Sequence, residues 1–384
     1  IEEIPSGVRI VSTGVVGNRK RTVSLVLKGI SLTPGFDHAI YANGKINLEE
    51  GFRIKGDIAT GLSGNPPAFS MTGGTEIDAS PGHGHSGDVY ISSSIDERYY
   101  DNFVNLKGKG IAGEVKAKDI PEYPGINFPD FPTPIPPQEK VDKFESIGPL
   151  DFNDSSVKYY RELHMVGQGE DGFFKIDLAK KDCTLVVDNL IFSNMTNVQL
   201  ENEGHLDIHV KNITFADNNE QFFINYNGSA TGDTAKQEAM EEADETILNL
   251  FYSGDTPFGG NAPGAGSSWR YAFAGNLITN TADIYSYQDA RIKGNILTNA
   301  KNVIIGGDGI NTGLLYAPYA SVEMGNSAES RSVISDSFTA KGGPRKEDEF
   351  NVEFEPVDMS ILPDDIFREG GGGASSLARS HWER

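Results

Sequence analysis

Between 277 and 334 the same kind of residue returns every nineteen positions: Leu277, Ile296, Leu315 and Ile334. Ile284, Val303 and Val322 keep the same step. A fixed period of roughly 20 to 50 residues marks a repeat architecture, in which units stack because none can bury its apolar face alone. Inside the period lie short β-type triplets, Asp283-Ile284-Tyr285, Arg291-Ile292-Lys293 and Asn302-Val303-Ile304, separated by Gly and Asn. These are the rungs expected of a parallel β-solenoid, right-handed by the general rule for parallel crossovers.

The same text occurs far upstream. Phe52-Arg53-Ile54-Lys55-Gly56-Asp57-Ile58-Ala59-Thr60 reads like Ala290-Arg291-Ile292-Lys293-Gly294-Asn295-Ile296-Leu297-Thr298, and Ala39-Ile40-Tyr41-Ala42 is echoed by Gly313-Leu314-Leu315-Tyr316-Ala317. The expected fold is therefore mainly β, a solenoid built from both ends of the chain with an insertion between them. The divisions are a hairpin module (1–36), first rungs (37–118), a Pro-rich crossing (119–140), an inserted β-rich segment (141–270), periodic rungs (271–340) and a C-terminal segment with tail (341–384).

Within the first division, Val8, Ile10 and Ser12 alternate before a Gly/Asn turn, and Val23, Leu25 and Leu27 alternate after it, the signal of a hairpin. Pro121, Pro124, Pro129, Pro132, Pro134, Pro136 and Pro137 cannot sit inside a sheet or a helix, so the crossing is expected to lie extended along a surface, with a domain boundary near 140. In the insertion, 185–192 aligns with 208–215, apolar on apolar, and Asn189 falls on Asn212 as a stacked corner pair or a sugar contact. Ala239, Met240, Ala243, Ile247, Leu248 and Phe251 carry the 3–4 spacing of one helix, expected over 233–251.

Lys+Arg number 33 against 55 Asp+Glu, a formal net charge of −22. Such a surface repels nucleic-acid phosphate and anionic lipid as a whole. The single cysteine, Cys183, excludes an internal disulfide framework, and its setting suggests a buried or half-buried thiol. No run of about 18 apolar residues spans a membrane. The chain opens Ile1-Glu2-Glu3, so a mature or truncated form is expected, with an N-terminal anchor removed.

No nucleophile elbow or phosphate loop occurs. His83-Gly84-His85 is the one tight histidine pair, with Asp78 and Asp88 nearby, but a zinc site wants three or four ligands and a Gly-rich loop is the favoured reading. No cofactor is expected. Calcium is left open by the acidic stretches 151–154 and 217–220, although neither has the spacing of a calcium loop. Polysaccharide lyases and hydrolases are at home on β-helices and need paired carboxylates on one face. Asp283, Asp289 and Asp308 do not share one phase of the period. If Ile284 and Leu315 point inward, then Tyr285 and Tyr316 point outward, with Tyr287 and Tyr319 beside them. Exposed tyrosines on a rigid β-face suit a glycan or protein ligand, so these four are the candidate ligand contacts.

The opening 11–23, with 39–48, the Pro-rich crossing and 313–322, resembles PilX-type, pilin-like proteins of type IV pilus systems, specifically members bearing a solenoid. The resemblance implies a minor pilin displayed outside the cell, at its surface or on a pilus. It further implies a hydrophobic N-terminal helix, absent here, as the only membrane contact. Other pilin subunits and a surface glycan or protein receptor would be its partners, and it would act in adhesion or assembly without catalysis. A secreted β-helix lyase or hydrolase, and a surface adhesin unrelated to pili, are the alternatives.

Overall fold

The computed structural model describes 36–367 apart from interruptions, the longest being 99–103, 135–140, 226–241, 262–268 and 345–348, together with the backbone of three strands between 2 and 28. Those three form an antiparallel sheet, Glu2–Ile4, Gly7–Val16 and Arg19–Lys28, with Ile10 opposite Leu25 and Ser12 opposite Val23.

The remaining described strands pair in parallel, rung upon rung, an arrangement consistent with a β-solenoid. One column runs Val141–Ser146, Val157–Val166, Cys183–Ser193, Leu206–Phe215, Leu248–Tyr252, Asn276–Thr279, Ile296–Thr298, Leu314–Met324 and Ser332–Lys341, then continues with Ile40–Ala42, Ile58–Thr60, Val89–Ile91 and Val115–Ala117. Space and sequence therefore disagree in order. The N-terminal rungs stack after the C-terminal ones, Ile334 opposite Tyr41. The two chain segments even share one rung: Val352 pairs with Ile54 in a second column, and Ile40–Ala42 occupies the place its own rung would take in the first.

Two expectations change here. The segment 141–270 is not inserted into the stack. It forms the stack's opening rungs, and no boundary falls near 140, since Leu163, Ile208, Leu277 and Ile40 lie in one continuous apolar core. Of the described end of the expected helix, only Glu242 is helical. Glu245–Ile247 is a single 3₁₀ turn, capped by Asp244, and Leu248–Tyr252 is a fully buried strand. Leu248, Leu250 and Tyr252 join the inner core while Phe251 joins an outer cluster, so period two prevails over the helical spacing the same residues also satisfy. The rest of 233–251 lies largely outside the described residues.

The nineteen-residue step is a pairing register. Leu277, Ile296 and Leu315 face one another, as do Ile284, Val303 and Val322. The fourth member fails: Leu315 pairs with Val333, and Ile334 pairs with Tyr316. Ile334 therefore points away from the core rather than into it.

That outward position is not solvent. Phe251, Ile278, Leu297, Tyr316, Ile334, Tyr41 and Ala59 form a continuous outward row across seven rungs, and all are buried. Their cover is the Pro-rich crossing, through Tyr123, Ile126 and Phe128, together with Phe36, Leu362 and Ile366. A strand whose both faces are covered must be apolar throughout, as Asn276–Thr279 and Leu314–Ala317 nearly are.

The crossing has to be extended, because the rung it leaves and the rung it reaches are at opposite ends of the stack. The Lys118 ammonium sits 5.0 Å from the Tyr90 ring centroid, and the Phe131 ring 4.3 Å from Lys211. Those contacts lie eight rungs apart, about 38 Å at the usual strand spacing. Thirteen residues of polyproline II cover about 40 Å. Polar pins fix the strap's register. Tyr316 donates to Pro124 O at 2.6 Å, Gly125 N to Tyr319 Oη at 2.8 Å, and Ile126 N to Asn299 Oδ1 at 2.8 Å, while Asn299 Nδ2 returns a bond to Ile126 O at 3.0 Å.

Tyr316→Ala is expected to cost about 3–4 kcal/mol by opening this outer cluster, and Tyr316→Phe about 1 kcal/mol for the lost hydrogen bond, both read by urea denaturation. An equal, near-zero cost for the two would contradict a covered Tyr316. His209, stacked on Phe251 at 4.5 Å, has its pKa pushed down to about 4 by burial, which outweighs the nearby Asp207. The unfolded chain then binds a proton below about pH 6.5 that the folded chain refuses, so stability present at neutral pH is lost as pH falls from there towards 4. The loss is about 3 kcal/mol, and His209→Phe is expected to flatten that part of the stability–pH curve.

Candidate functional site

One position at the entry to the first column carries a polar ladder. Asn249 Nδ2 donates to Asp207 Oδ1, Asn276 to Asn249 and Asn295 to Asn276, each at 2.9 Å. Asn295 Oδ1 then accepts Leu314 N at 2.8 Å. A carboxamide suits the role because it donates to one rung and accepts from the next. The Asn189/Asn212 pair is in register but does not form this ladder. Asn212 donates to Asp188 O, and Asn189 accepts from Thr214.

At the other end of the stack, the ladder position holds carboxylates. Asp57 Oδ1 accepts Asp88 N at 2.8 Å, and Asp88 Oδ1 accepts Glu114 N at 2.8 Å. Both carboxylates are buried, Asp57 at 7% and Asp88 at 3% exposure. A carboxylate cannot donate onward, so each needs a donor from outside the ladder. His85 Nδ1 meets Asp57 Oδ2 at 2.9 Å. Lys116 Nζ and Tyr90 Oη meet Asp88 Oδ2. Burial alone would raise the Asp88 pKa, but the hydrogen bonds from Lys116 and Glu114 N hold it below the usual carboxylate value. An aspartate carboxylate only accepts, so this hydrogen bond is donated by His85 Nδ1.

His85 is presented by a tight loop. Ser80 and His85 exchange backbone hydrogen bonds around the 3₁₀ turn Pro81–His83. The His85 ring lies 4.2 Å from Phe354, and His83 lies 5.7 Å from it. Beside them opens a cleft of about 320 Å³, also lined by Phe36, Pro356, Val357 and Met359. The cleft sits where the first segment enters the stack and the last segment leaves it.

His83 and His85 belong to the loop expected of them, and Asp88 lies close behind. Asp57 and Lys116 were not singled out from sequence. The signal for Asp57 is the aligned phrase itself, where aspartate replaces the ladder's Asn295. Among the described residues, no three His, Cys, Asp or Glu side chains converge as a metal site.

The four candidate tyrosines separate. Tyr285 and Tyr287 border a third column, formed by Ile284–Ser286, Asn302–Ile305 and the second half of Leu314–Met324, where Tyr285 pairs with Ile304. Tyr285 is buried, at 9% exposure with Oη 3.5 Å from Asp283, so the exposure expected of it is not found, and Tyr287 is half-buried. Tyr316 does point away from the inner core, yet it is 1% exposed beneath the strap, so the exposure expected of it is not found. Tyr319 is 52% exposed, although its hydroxyl holds Gly125. No family model, curated protein or solved structure matches this chain.

Asp88→Ala is expected to leave Glu114 N and Lys116 without an acceptor and to cost about 1–3 kcal/mol. Hydrogen exchange over 114–117 should accelerate while 277–305 stays protected. Uniform acceleration throughout would contradict a local role. Because the Asp88 carboxyl is held low, its contribution is present at neutral pH and lost as pH falls below about 4, and Asp88→Asn should reduce that acid sensitivity.

Proposed function

We propose that this chain is the extracellular part of a minor, pilus-associated, pilin-like protein, and that it works without catalysis as a rigid solenoid for adhesion or pilus assembly. The winding we propose is right-handed, on the crossover rule. The observation that carries this reading is how the first column's outer face is used. An apolar strip is closed by the chain's own strap, producing a stiff rod about 58 Å long over its thirteen rungs at the usual spacing. The third column is where a ligand would be met, through Tyr285 and Tyr287 beside Asp283, a grouping of aromatic rings and hydrogen-bonding oxygens suited to glycan or protein contact. Tyr319 is the corresponding contact beside the strap. The proposed partners are other pilin subunits and a surface receptor, with a membrane contact only through an upstream helix.

To test this, surface fibres are sheared from the source cells and probed with antibody to the solenoid. The expected result is co-fractionation with the fibres, and reduced attachment of cells carrying Tyr285→Ala with Tyr287→Ala. Recovery only as free chain in the medium, with attachment unchanged, would contradict it.

One observation favours a second reading, a polysaccharide lyase or hydrolase: His85 held on a buried carboxylate at the cleft mouth. Release of sugar ends from a polysaccharide panel, abolished by His85→Ala, would support that reading and overturn the first.

A further inference from the structure

We infer that copies of this chain stack head to tail, the Val141–Ser146 end of one continuing the Val115–Ala117 end of the next. Among the described residues, each of these strands has a first-column partner on one side only. A strand edge left open presents a row of backbone donors and acceptors ready to template another strand. Here the two edges belong to one parallel stack, so the free edge at one end is the counterpart of the free edge at the other.

The register supports a particular match. Val141 shares its column position with Tyr160, Val187 and Val210, and, through the whole stack, with Ala42, Ile91 and Ala117. Val187 and Val210 are fully buried, whereas Val141 is 46% exposed. The terminal rung thus shows solvent a position that interior rungs cover, and a rung stacked upon it would cover it. Extending the register across the junction places Ala117 opposite Val141 and Lys118 opposite Asp142. Lys118 is still in ladder register, since its N–H donates to Ile91 O at 2.9 Å. Lys118, over the Tyr90 ring, and Asp142, 2.9 Å from Arg161 of its own chain, are both exposed and opposite in charge. A slip by one residue would turn the apolar set outward and separate that pair. Such a contact joins different surfaces of the two copies, so it propagates rather than closing into a dimer. The inference stands independently of the pilus reading.

The test uses the full chain in three forms: wild type, Ala117→Cys and Val141→Cys. The native Cys183 is buried. Neighbouring parallel strands bring paired Cα atoms within disulfide range. Under mild oxidation, the mixed sample is expected to give the 117–141 disulfide, and neither variant alone should form a same-site disulfide. Sedimentation velocity of the wild type should show association rising with concentration. Lys118→Glu and Asp142→Lys should each lose it, and the double exchange should recover it, with unchanged circular dichroism confirming the fold. Same-site disulfides without the mixed one would indicate a two-fold contact and overturn the inference. A wild type that stays monomeric at every soluble concentration would also overturn it.

Discussion

The structure depends on one covered apolar strip. Parallel strands with both faces buried are stable only if something lies on the outer face, because sheet hydrogen bonds alone leave the outward side chains in water. Phe251, Ile278, Leu297, Tyr316, Ile334 and Tyr41 supply that face, and a proline-rich strap from the same chain supplies the cover. The strap's chemistry follows from its path. It must reach across the stack without forming a strand of its own. Proline keeps it from forming a strand, and Tyr316, Tyr319 and Asn299 bond backbone groups that it presents.

This explains the permuted order of the rungs. Once Val115–Ala117 ends the stack, the chain can return to Val141 only by travelling its length, and the return segment doubles as the lid of the outer cluster. The last segment, through Leu362 and Ile366, and Phe36 close the same strip, on the near side of the rung that the two halves share. The His85–Asp57 and Lys116–Asp88 pairs lie next to that junction. The polar ladder changes there from amides that hand hydrogen bonds along to carboxylates that require a cation or an imidazole.

Much of this was legible in the residues. The step linking Leu277, Ile296 and Leu315 is the pairing register, and the alignment of 185–192 on 208–215 is a pair of adjacent strands. The register slips at Ile334 because one fewer residue separates Leu315 from its partner Val333, which no fixed step can express. Parity sends Tyr316 outward but does not tell what lies above it. The strap that buries it is far away in sequence. Leu248–Tyr252 satisfied both periods, and only the neighbouring strands decide between them. The histidine loop stands out as a motif and the aligned phrase marks Asp57, whereas Lys116 meets Asp88 through folding alone.

The order of the rungs is the central claim, and a distance settles it. Spin labels at Asp96→Cys and Asp154→Cys, in chains diluted with excess unlabelled protein, should lie about 50 Å apart by pulsed dipolar spectroscopy, some ten rungs at the usual spacing. If the rungs instead followed the order of the chain, with 141 stacked directly after 117, the same labels would be separated by two or three rungs, about 10–15 Å, and a distance in that range would contradict the account.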